Sequence, residues 1–460
     1  MTNETVIAQK ETVSTAFSWF HATSVNGGAM LMAAIIGSYF SVYMTDTMRI
    51  PAAAASMIMF VATLWDAIND PIMGVIADRT NTKWGRYRPY FIAAPILLTI
   101  FGTLIWVDPG FSTAGKIVWI TVTYIGYGMT VTLYTMPQMA ILPACVKSSG
   151  KRNSIIAMGA GCCALMFTIG SSFATNIIAF LEQTLNINNG YIPLMLICGA
   201  IASVSFWGLF ATAREQYLTD IEKGAAMKDL KTVLKHKELA PFLVVWVMAS
   251  MGYGLMFASS VYYIIYYLER PDLVTQYMFV VSMGALVSMV VLLPIVLKVF
   301  KTGQRSLMVT QIGAMICYGI LFLFGKDNLT LLYVITFIAT SIASMSNALV
   351  NVLVNDAIDY VRLKDGISAN GVISSIKGFA QKCGNTVTNA GILALLAMSG
   401  YIAGAIGEQP ESAAFALRFL RFGAPVITGI IMLICLKFNP VEKHYAEIEE
   451  MKQHMEAREG

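Results

Sequence analysis

The sequence predicts an all-α integral membrane protein with twelve transmembrane helices in two six-helix bundles. Two features of the composition support this fold class: 57% of the 460 residues are hydrophobic and only 13% are charged, and the mean hydropathy is +0.65. A soluble domain carries about 25% charged residues because its exterior is hydrated. The shortage of charge therefore indicates an exterior that is solvated by lipid.

Apolar runs bounded by Gly, Pro and charged residues divide the chain into twelve candidate spans. About 20 apolar residues are enough for one crossing. The longest interruption, 212–238, follows the sixth span, so we expect an N-terminal bundle over 1–211, a C-terminal bundle over 239–437 and a tail over 438–460. The predicted spans are residues 27–46, 51–77, 89–108, 116–143, 154–181, 191–211, 239–268, 274–300, 306–325, 330–355, 367–399 and 413–437.

Lys and Arg are distributed unequally between the two ends of the predicted helices. Of the 31 Lys and Arg residues, 23 lie on the side that holds both termini and 2 lie in the eleventh span. The opposite side has 6, which include Arg418 and Arg421. Loops rich in Lys and Arg stay in the cytoplasm. We therefore expect a multi-pass protein of the cell membrane, with both termini, the central loop and the tail in the cytoplasm.

Composition and motifs exclude several classes of function. The net charge of +4 is small and the basic residues form no stripe, so nucleic acid is not an expected partner. The seven cysteines show no CxxC spacing, which indicates neither a disulfide framework nor a metal centre. The four histidines lie outside the predicted spans and form no HExxH motif, so we expect no enzyme. A non-transporting membrane sensor and an intramembrane enzyme remain distant alternatives; a large soluble signalling domain would favour the sensor, and the sequence shows none.

Two aspartates lie inside the second predicted span, where a carboxylate is costly unless it is paired, hydrated or bound to a cation. At 100° per residue, Asp66, Asn69 and Asp70 share one face of the helix. Their oxygens suit a hard monovalent cation such as sodium, and the same pair could carry a proton. The alternative is a structural role, in which one aspartate pairs with Lys377 or Lys382 and the other stays protonated.

Five segments form a long pattern that centres on this acidic face. They are WDAINDPIMG (65–74), DRTNTKWGRYRP (78–89), GYGMTVTLYTMP (126–137), DAIDY (356–360) and QKCGN (381–385). The pattern resembles the glycoside/pentoside/hexuronide:cation symporter family of the major facilitator superfamily. The resemblance implies the major facilitator fold and alternating-access symport of a small solute, most simply a sugar or glycoside, with Na⁺, Li⁺ or H⁺. It implies no cofactor and no metal apart from this coupling cation.

The resemblance also implies roles for individual residues on the cation side. Asp66, Asn69 and Asp70 match the cation-binding residues of the second helix. Thr132 falls where the family has a helix-four hydroxyl near the cation, and Lys382 matches a helix-eleven lysine close to the acids. We therefore expect the first four residues to bind the cation and the lysine to act in coupling.

On the solute side the sequence departs from the family pattern. Sugar-binding members hold the sugar hydroxyls with acids of helices one and four, and the corresponding residues here are Met30 and Thr135. An aromatic residue after the helix-four proline is replaced by Met139. Because a methionine accepts almost no hydrogen bond from a hydroxyl, solute recognition must differ. A less polar solute, such as a sterol or a lipid-like compound, is the alternative to a sugar.

A stripe of amides on the tenth predicted helix offers other solute contacts. We expect Asn347 and Asn351, together with Asn370 of the eleventh helix, to line the solute site. Amides within a span also join neighbouring helices, and that is the alternative role.

A gate is expected where the loop after the second helix meets the cytoplasmic end of the tenth. The expected members are Arg79, Arg86, Arg88, Asp356 and Asp359. Each hydrated pair would contribute only about 0–1 kcal/mol, but several together could bias an equilibrium between two conformations. The expected partners of the protein are thus a small solute, a monovalent cation and the lipid bilayer.

Overall fold

The structure, a computed structural model, describes residues 14–217, 235–236, 239–300, 302–365, 370–439 and 441–451. Helices dominate this part of the chain. In chain order they are α1 (Thr15–Thr47), α2 (Ala52–Arg79), α3 (Tyr90–Leu104), α4 (Thr113–Cys145), α5 (Ser149–Leu185), α6 (Tyr191–Thr212), α7 (Ala240–Tyr267), α8 (Pro271–Phe300), α9 (Gly303–Phe324), α10 (Leu329–Asp365), α11 (Asn370–Met398) and α12 (Glu411–Lys437).

Each of the twelve predicted spans coincides with one of these helices, which confirms the predicted all-α membrane fold. Ten of them are long and apolar enough to cross a membrane, by length and composition. The other two are α3, which has 15 residues, and α11, whose sequence is interrupted by Lys377 and Lys382.

The first helix extends further than predicted. α1 begins at Thr15 rather than near residue 27, so His21 lies within it and is buried. The polar residues of this extra segment do not end the helix, because their hydroxyls bond to carbonyls of the preceding turn. Thr23 donates to the Trp19 carbonyl at 2.9 Å and Ser24 to the His21 carbonyl at 3.0 Å.

The helices form two halves, α1–α6 and α7–α12, that repeat a detail of backbone geometry. The last five residues of α1 and of α7 form π-turns, Tyr43–Thr47 and Tyr263–Tyr267. Two residues further on, Arg49 and Glu269 adopt left-handed φ angles of 58° and 59°. A proline follows two residues later in both halves. This correspondence is the kind of internal repeat on which many transporter folds are built.

Three helix pairs bring the halves together: α1 with α7, α2 with α11, and α5 with α8. The end of the bundle that holds both π-turns and the loop 399–410 is called the closed end below. The opposite end, which holds the loop 80–89 and the start of the central segment, is called the basic end.

At the basic end a glycine permits a close backbone approach. The Glu215 carboxylate accepts hydrogen bonds from the backbone N–H groups of Arg86, Tyr87 and Arg88 at 2.7, 2.9 and 3.0 Å. Gly85 has φ of +116°, and a Cβ on it would lie 2.7 Å from Glu215 Oε1. The loop is therefore fixed to the residues that follow α6.

The central loop and the tail are described only in part. Of the predicted loop 212–238, residues 212–217 and 235–236 lie within the described residues, and of the tail 438–460, residues 438–439 and 441–451 do. The tail contains a 3₁₀ turn, Val441–His444, and a helical segment at 445–451. The division into bundles at 211 and 239 stays a prediction.

Candidate cation and solute site

The predicted acidic face lies where three helices meet. α2 packs against α4 of its own half and against α11 of the other half. Asn69 is buried, and Asp66 and Asp70 are partly buried. The helical spacing of three and four residues brings these side chains to one face of α2, and α4 and α11 supply its neighbours.

Asp70 is held from both sides of the interface between the halves. The Thr132 hydroxyl on α4 donates to Asp70 Oδ1 at 2.8 Å. Lys382 on α11 forms an ion pair with Asp70 Oδ2, and its ammonium also lies 3.5 Å from the backbone carbonyl oxygen of Asp66. Lys377, the other lysine of α11, instead donates to Gln381 on its own helix at 2.8 Å.

The neighbours of Asp70 on the same face are left without partners. Asp66 Oδ1 and Asn69 Nδ2 are both buried and make no hydrogen bond within the described residues. The backbone of α4 comes close to this carboxylate, since a Cβ on Gly128 would lie 2.5 Å from Asp66 Oδ1. A buried carboxylate oxygen without a partner is costly, so Asp66 Oδ1 has the properties of a ligand for positive charge, whereas Asn69 Nδ2 is a donor and needs an acceptor.

The charges at the site suit a monovalent cation. With both aspartates ionised, the pair and the Lys382 ammonium carry a net charge of −1, which one monovalent cation neutralises. Carboxylate, amide and hydroxyl oxygens are the hard ligands that such ions prefer. The side chains of Asp66, Asn69, Asp70 and Thr132 therefore fit the cation they were predicted to hold, although their role stays a prediction.

The predicted solute residues of the N-terminal half differ in exposure. Met30 and Thr135 are partly buried, and Met139 is 70% exposed. The Thr135 hydroxyl donates to the Val131 carbonyl of its own helix at 2.8 Å, so it uses its proton locally. Their part in solute binding stays a prediction.

The predicted amides of the tenth helix lie on α10. Asn351 is exposed and its Nδ2 donates to the carbonyl of Asn347, which is partly buried, at 3.2 Å. Asn370 begins α11, and its side chain lies outside the described residues. A contact between these amides and a solute stays a prediction.

Another aspartate, Asp46, which the sequence did not single out, joins the halves at the closed end. Asp46 Oδ1 accepts hydrogen bonds from Thr45 at 2.8 Å and from Tyr401 at 2.9 Å, and Asp46 Oδ2 accepts one from Tyr266. Thr45 also lies 3.2 Å from the hydroxyl of Tyr262. Burial, followed by the charge of Asp46, raises the pKa of Tyr401 far above its ordinary value, so this phenol stays protonated and donates.

The closed end is built on the internal repeat and extends along the interface. Asp46 and Tyr266 are each the fourth residue of their π-turn, so equivalent positions of the two halves meet. Further hydrogen bonds cross between the halves at Ser171–Ser282 (2.7 Å), Thr175–Thr275 (2.8 Å) and Ser56–Ala390 carbonyl (2.7 Å). These polar contacts join the two halves at the closed end and along the interface that leads from it. The signal that the sequence did carry was an aspartate at the end of the first predicted span and a tyrosine-rich end, YIIYY (263–267), in the seventh.

At the basic end the predicted gate residues have the following positions. Arg79 is in the last turn of α2 and is exposed. The Arg88 guanidinium donates to the Phe210 carbonyl at 2.8 and 3.0 Å, within its own half, and the Arg86 backbone N–H bonds to Glu215. Asp356 and Asp359 lie on α10, and both take part in interactions of their own. A latch between these arginines and aspartates stays a prediction.

Comparison with known proteins agrees with the geometry. The family described as MFS/sugar transport protein matches residues 24–443. The isoprimeverose transporter of Lactiplantibacillus pentosus is 27% identical over 89% of this chain and 85% of its own length. The glucuronide carrier protein homolog of Escherichia coli strain K12 is 25% identical over 88% of both chains.

A solved structure shares the fold. It is the crystal structure of a bacterial homolog of the human lysosomal transporter Spinster, in an inward-facing and unoccupied conformation. The similarity covers 94% of this chain and 97% of that chain, with a TM-score of 0.69 and 12% sequence identity.

Proposed function

Because the chain belongs to the MFS/sugar transport protein family and is therefore a membrane transporter rather than an enzyme, we propose that it is a cation-coupled symporter of a sugar or glycoside. The family membership confirms the predicted resemblance. The observation that carries the coupling proposal is the buried Asp66 Oδ1, which has no hydrogen-bond partner within the described residues and lies beside the Asp70–Lys382 ion pair.

The cation and Lys382 would compete for the same carboxylates. A monovalent cation that binds Asp66, Asn69, Asp70 and Thr132 offers Asp70 a second positive partner. It therefore weakens the hold of Lys382, which belongs to the other half. Since the ion pair links α2 to α11, its release changes the contact between the halves. Cation binding would in this way bias the equilibrium between conformations, which is what coupling requires.

The proposed solute is a small polyhydroxylated compound. The relatives are a transporter of isoprimeverose and a homolog of a glucuronide carrier. Met30, Thr135 and Met139, with Asn347, Asn351 and Asn370, are the proposed lining of the solute site. Because Met30 and Thr135 stand where acids are expected, we expect fewer charge-assisted hydrogen bonds to the solute than carboxylates would make.

The structure supports one half of an alternating-access cycle. With the closed end sealed by Asp46, Tyr266 and Tyr401, the path to the proposed site would run from the basic end. We propose that the basic end is cytoplasmic, as its Lys and Arg content predicts, and that the protein lies in the cell membrane with both termini inside. The proposed gate at that end joins Arg79, Arg86 and Arg88 to Asp356 and Asp359 when the closed end opens.

Equilibrium binding to the purified protein tests the proposal. Three ligands are titrated: isoprimeverose, a phenyl glucuronide and a bile-acid-like sterol. Each titration is made in about 100 mM sodium, in lithium and in choline as the inert cation, at pH 6 and at pH 8. We expect one of the two sugar derivatives to bind, and to bind about five- to 100-fold more tightly with its coupling cation.

Linkage supplies the control, because the solute must tighten cation binding by the same factor. Sugar binding that responds neither to sodium or lithium nor to pH would contradict coupling. Binding of the sterol alone would contradict the sugar assignment and leave the cation site intact.

A further inference from the structure

A groove on the surface of the bundle crosses the boundary between the two halves. It has a volume of about 390 Å³ and is lined by six residues, Phe173, Thr275, Gln276, Phe279, Val280 and Tyr333. Phe173 belongs to α5 of the N-terminal half, whereas the others belong to α8 and α10 of the C-terminal half. Each half therefore supplies one wall of the groove.

The groove opens toward lipid rather than toward the interior of the bundle. On α8, the side chains of Tyr277, Met278 and Val281 are buried in the hydrophobic core. Phe279 is 37% exposed and Phe173 is 38% exposed, and both lie in helices of membrane length. Because the outer surface of a transmembrane helix is solvated by hydrocarbon, these exposed rings and the groove between them face the bilayer.

The lining changes from polar to apolar with distance from the closed end. α8 begins four residues after the π-turn of α7, so Thr275 and Gln276 lie in its first turns. At this level the Tyr333 hydroxyl donates to Gln276 Oε1 at 3.5 Å. One turn further in, the ring centre of Phe279 lies 5.7 Å from that of Phe173. A phospholipid has the same order of groups, with a polar head at the membrane surface and acyl chains below it.

The size and chemistry of the groove fit one acyl chain. Its volume lies at the lower end of the range of about 300–1,000 Å³ that is typical of small-molecule sites. None of the six lining residues is charged, so nothing in the lining compensates a charged ligand. A sugar would leave hydroxyls without partners along the apolar part of the groove, whereas a flexible hydrocarbon chain fills it with van der Waals contacts.

The groove lies directly beside hydrogen bonds that join the halves. Thr275, which lines it, shares a hydrogen bond of 2.8 Å with Thr175 of α5 and donates to Asn176 Oδ1 at 2.6 Å. Ser282, two turns along α8, pairs with Ser171 of α5. A chain in the groove contacts both halves only while α5 and α8 are adjacent. When the closed end opens, one wall moves away, so the lipid binds more tightly to the sealed conformation.

We propose that this groove is a phospholipid site in which one acyl chain lies between Phe173 and Phe279, and that the bound lipid stabilises the sealed closed end. The chain then forms a hydrocarbon bridge between the two halves. The lipid site depends neither on symport nor on the identity of the solute. Its effect on opening rests on the proposed alternating-access function, so the two parts are tested separately.

Photochemical labelling tests the site itself. The full-length protein is reconstituted in nanodiscs that contain phosphatidylethanolamine with a diazirine in one acyl chain, and labelled residues are identified by mass spectrometry. We expect the label to concentrate on Phe173 and Phe279 and to fall about tenfold in Val280→Trp, whose indole fills the groove. Val61→Trp is the matched control, because Val61 lines another apolar groove, of about 210 Å³, between α2 and α4 of the N-terminal half.

The control should leave the label at Phe173 and Phe279 unchanged. Label at these residues that is no stronger than at other lipid-facing residues would mean general contact with lipid only and would overturn the site. Equal label in wild type and Val280→Trp would overturn it as well. If Val280→Trp does not fold, the distribution of label on the wild-type protein decides.

Hydrogen exchange of the segment 399–410 tests the effect on the closed end. Phosphatidylethanolamine added to the detergent-solubilised full-length protein is expected to slow this exchange about fivefold in wild type and in Val61→Trp. In Val280→Trp, where the indole occupies the groove, the lipid should slow it less than about twofold. Exchange that does not respond to phospholipid in wild type, or that responds equally in Val280→Trp, would overturn the stabilisation. Neither measurement uses a solute or a coupling cation, so its failure is distinct from a failure of symport.

Discussion

Two aspartates join the halves of this transporter, and their surroundings differ in one decisive respect. Asp46 at the closed end accepts hydrogen bonds from Thr45, Tyr266 and Tyr401. All of its partners belong to the protein, and two of them come from the opposite half. A carboxylate that is satisfied in this way has no further need of a ligand, so it serves to hold two surfaces together.

Asp70 in the interior is satisfied as well, by Thr132 and Lys382, but its neighbours are not. Within the described residues, Asp66 Oδ1 stays buried and without a partner. A buried carboxylate oxygen of this kind, next to a second carboxylate, is an arrangement that a bound cation would complete. The contact of Asp46 therefore holds the closed end together, whereas the contact of Asp70 with Lys382 is one that a bound cation can alter.

The largest difference between the two contacts is expected when Asp70 and Asp46 are each replaced by asparagine. Asp70→Asn removes the charge that the cation and Lys382 share, so we expect cation-driven solute accumulation in vesicles to fall about 100-fold, while solute binding is partly retained. Asp46→Asn lies outside the proposed cation site and keeps one of the two oxygens that accept hydrogen bonds, so the cation dependence of solute binding should persist. Accumulation by Asp70→Asn at the wild-type level would count against the cation site.

Removal of Lys382, which would compete with the cation for Asp70, is expected to have a smaller effect. Cation binding should become tighter, whereas transport should become slower. Lys382→Met leaves the two carboxylates without their ammonium partner, and the local charge becomes −2. We expect the coupling cation to bind about 20-fold more tightly, because its competitor is absent, and net transport to slow. Lys377→Met is the matched control, since Lys377 contacts Gln381 on its own helix. Cation binding that is unchanged or weaker in Lys382→Met would contradict the competition.

A change on α4 is expected to weaken the cation site by about tenfold. Gly128→Ala places a Cβ 2.5 Å from the present position of Asp66 Oδ1, so the carboxylate must move. Sodium or lithium affinity, measured by titration, should fall by about tenfold. Gly161→Ala on α5 is the control, because a Cβ there meets nothing within 4 Å. Equal affinities in the two variants would show that Asp66 does not contribute to the site.

The acidic face was predictable from sequence, whereas its partner across the interface was not. Residues three and four apart on a helix are neighbours by geometry alone, which places Asp66, Asn69 and Asp70 together. No local rule distinguishes Lys382 from Lys377, since Asp70 lies 312 residues from its partner. The family resemblance alone favoured Lys382, and the structure places that lysine against Asp70.

The role of Asp46 and the burial of Arg421 could not be predicted from the sequence for the same physical reason. Asp46 is at the end of a predicted span, where a charge needs no explanation, and its tyrosine partners are 220 and 355 residues away. Arg421 was assigned to the side opposite the termini by its position near the start of a span, but the structure buries it completely. Burial of a charge depends on tertiary packing, which the hydropathy of a single segment does not report.

The smallest effect is expected from a single hydroxyl at the closed end. Tyr401→Phe removes one of three donors to Asp46 and keeps the ring that packs against Tyr262 and Tyr266. A hydrogen bond of this kind contributes about 1 kcal/mol, so opening of the closed end should become about fivefold more frequent. Hydrogen exchange of the segment 399–410, where the Gly404 N–H donates to Tyr266 at 3.1 Å, measures this opening.

The control and the pH dependence of that variant make the result decisive. Tyr333→Phe is matched in chemistry, but among the described residues its hydroxyl donates to Gln276 of the same half, and exchange of 399–410 should not change. Because burial and the charge of Asp46 raise the pKa of Tyr401, its hydroxyl stays a donor from pH 6 to pH 9, and the fivefold difference should be constant over that range. An equal exchange rate in wild type and Tyr401→Phe would mean that the π-turn backbones and the crossing serine and threonine pairs, rather than the carboxylate, hold the closed end together.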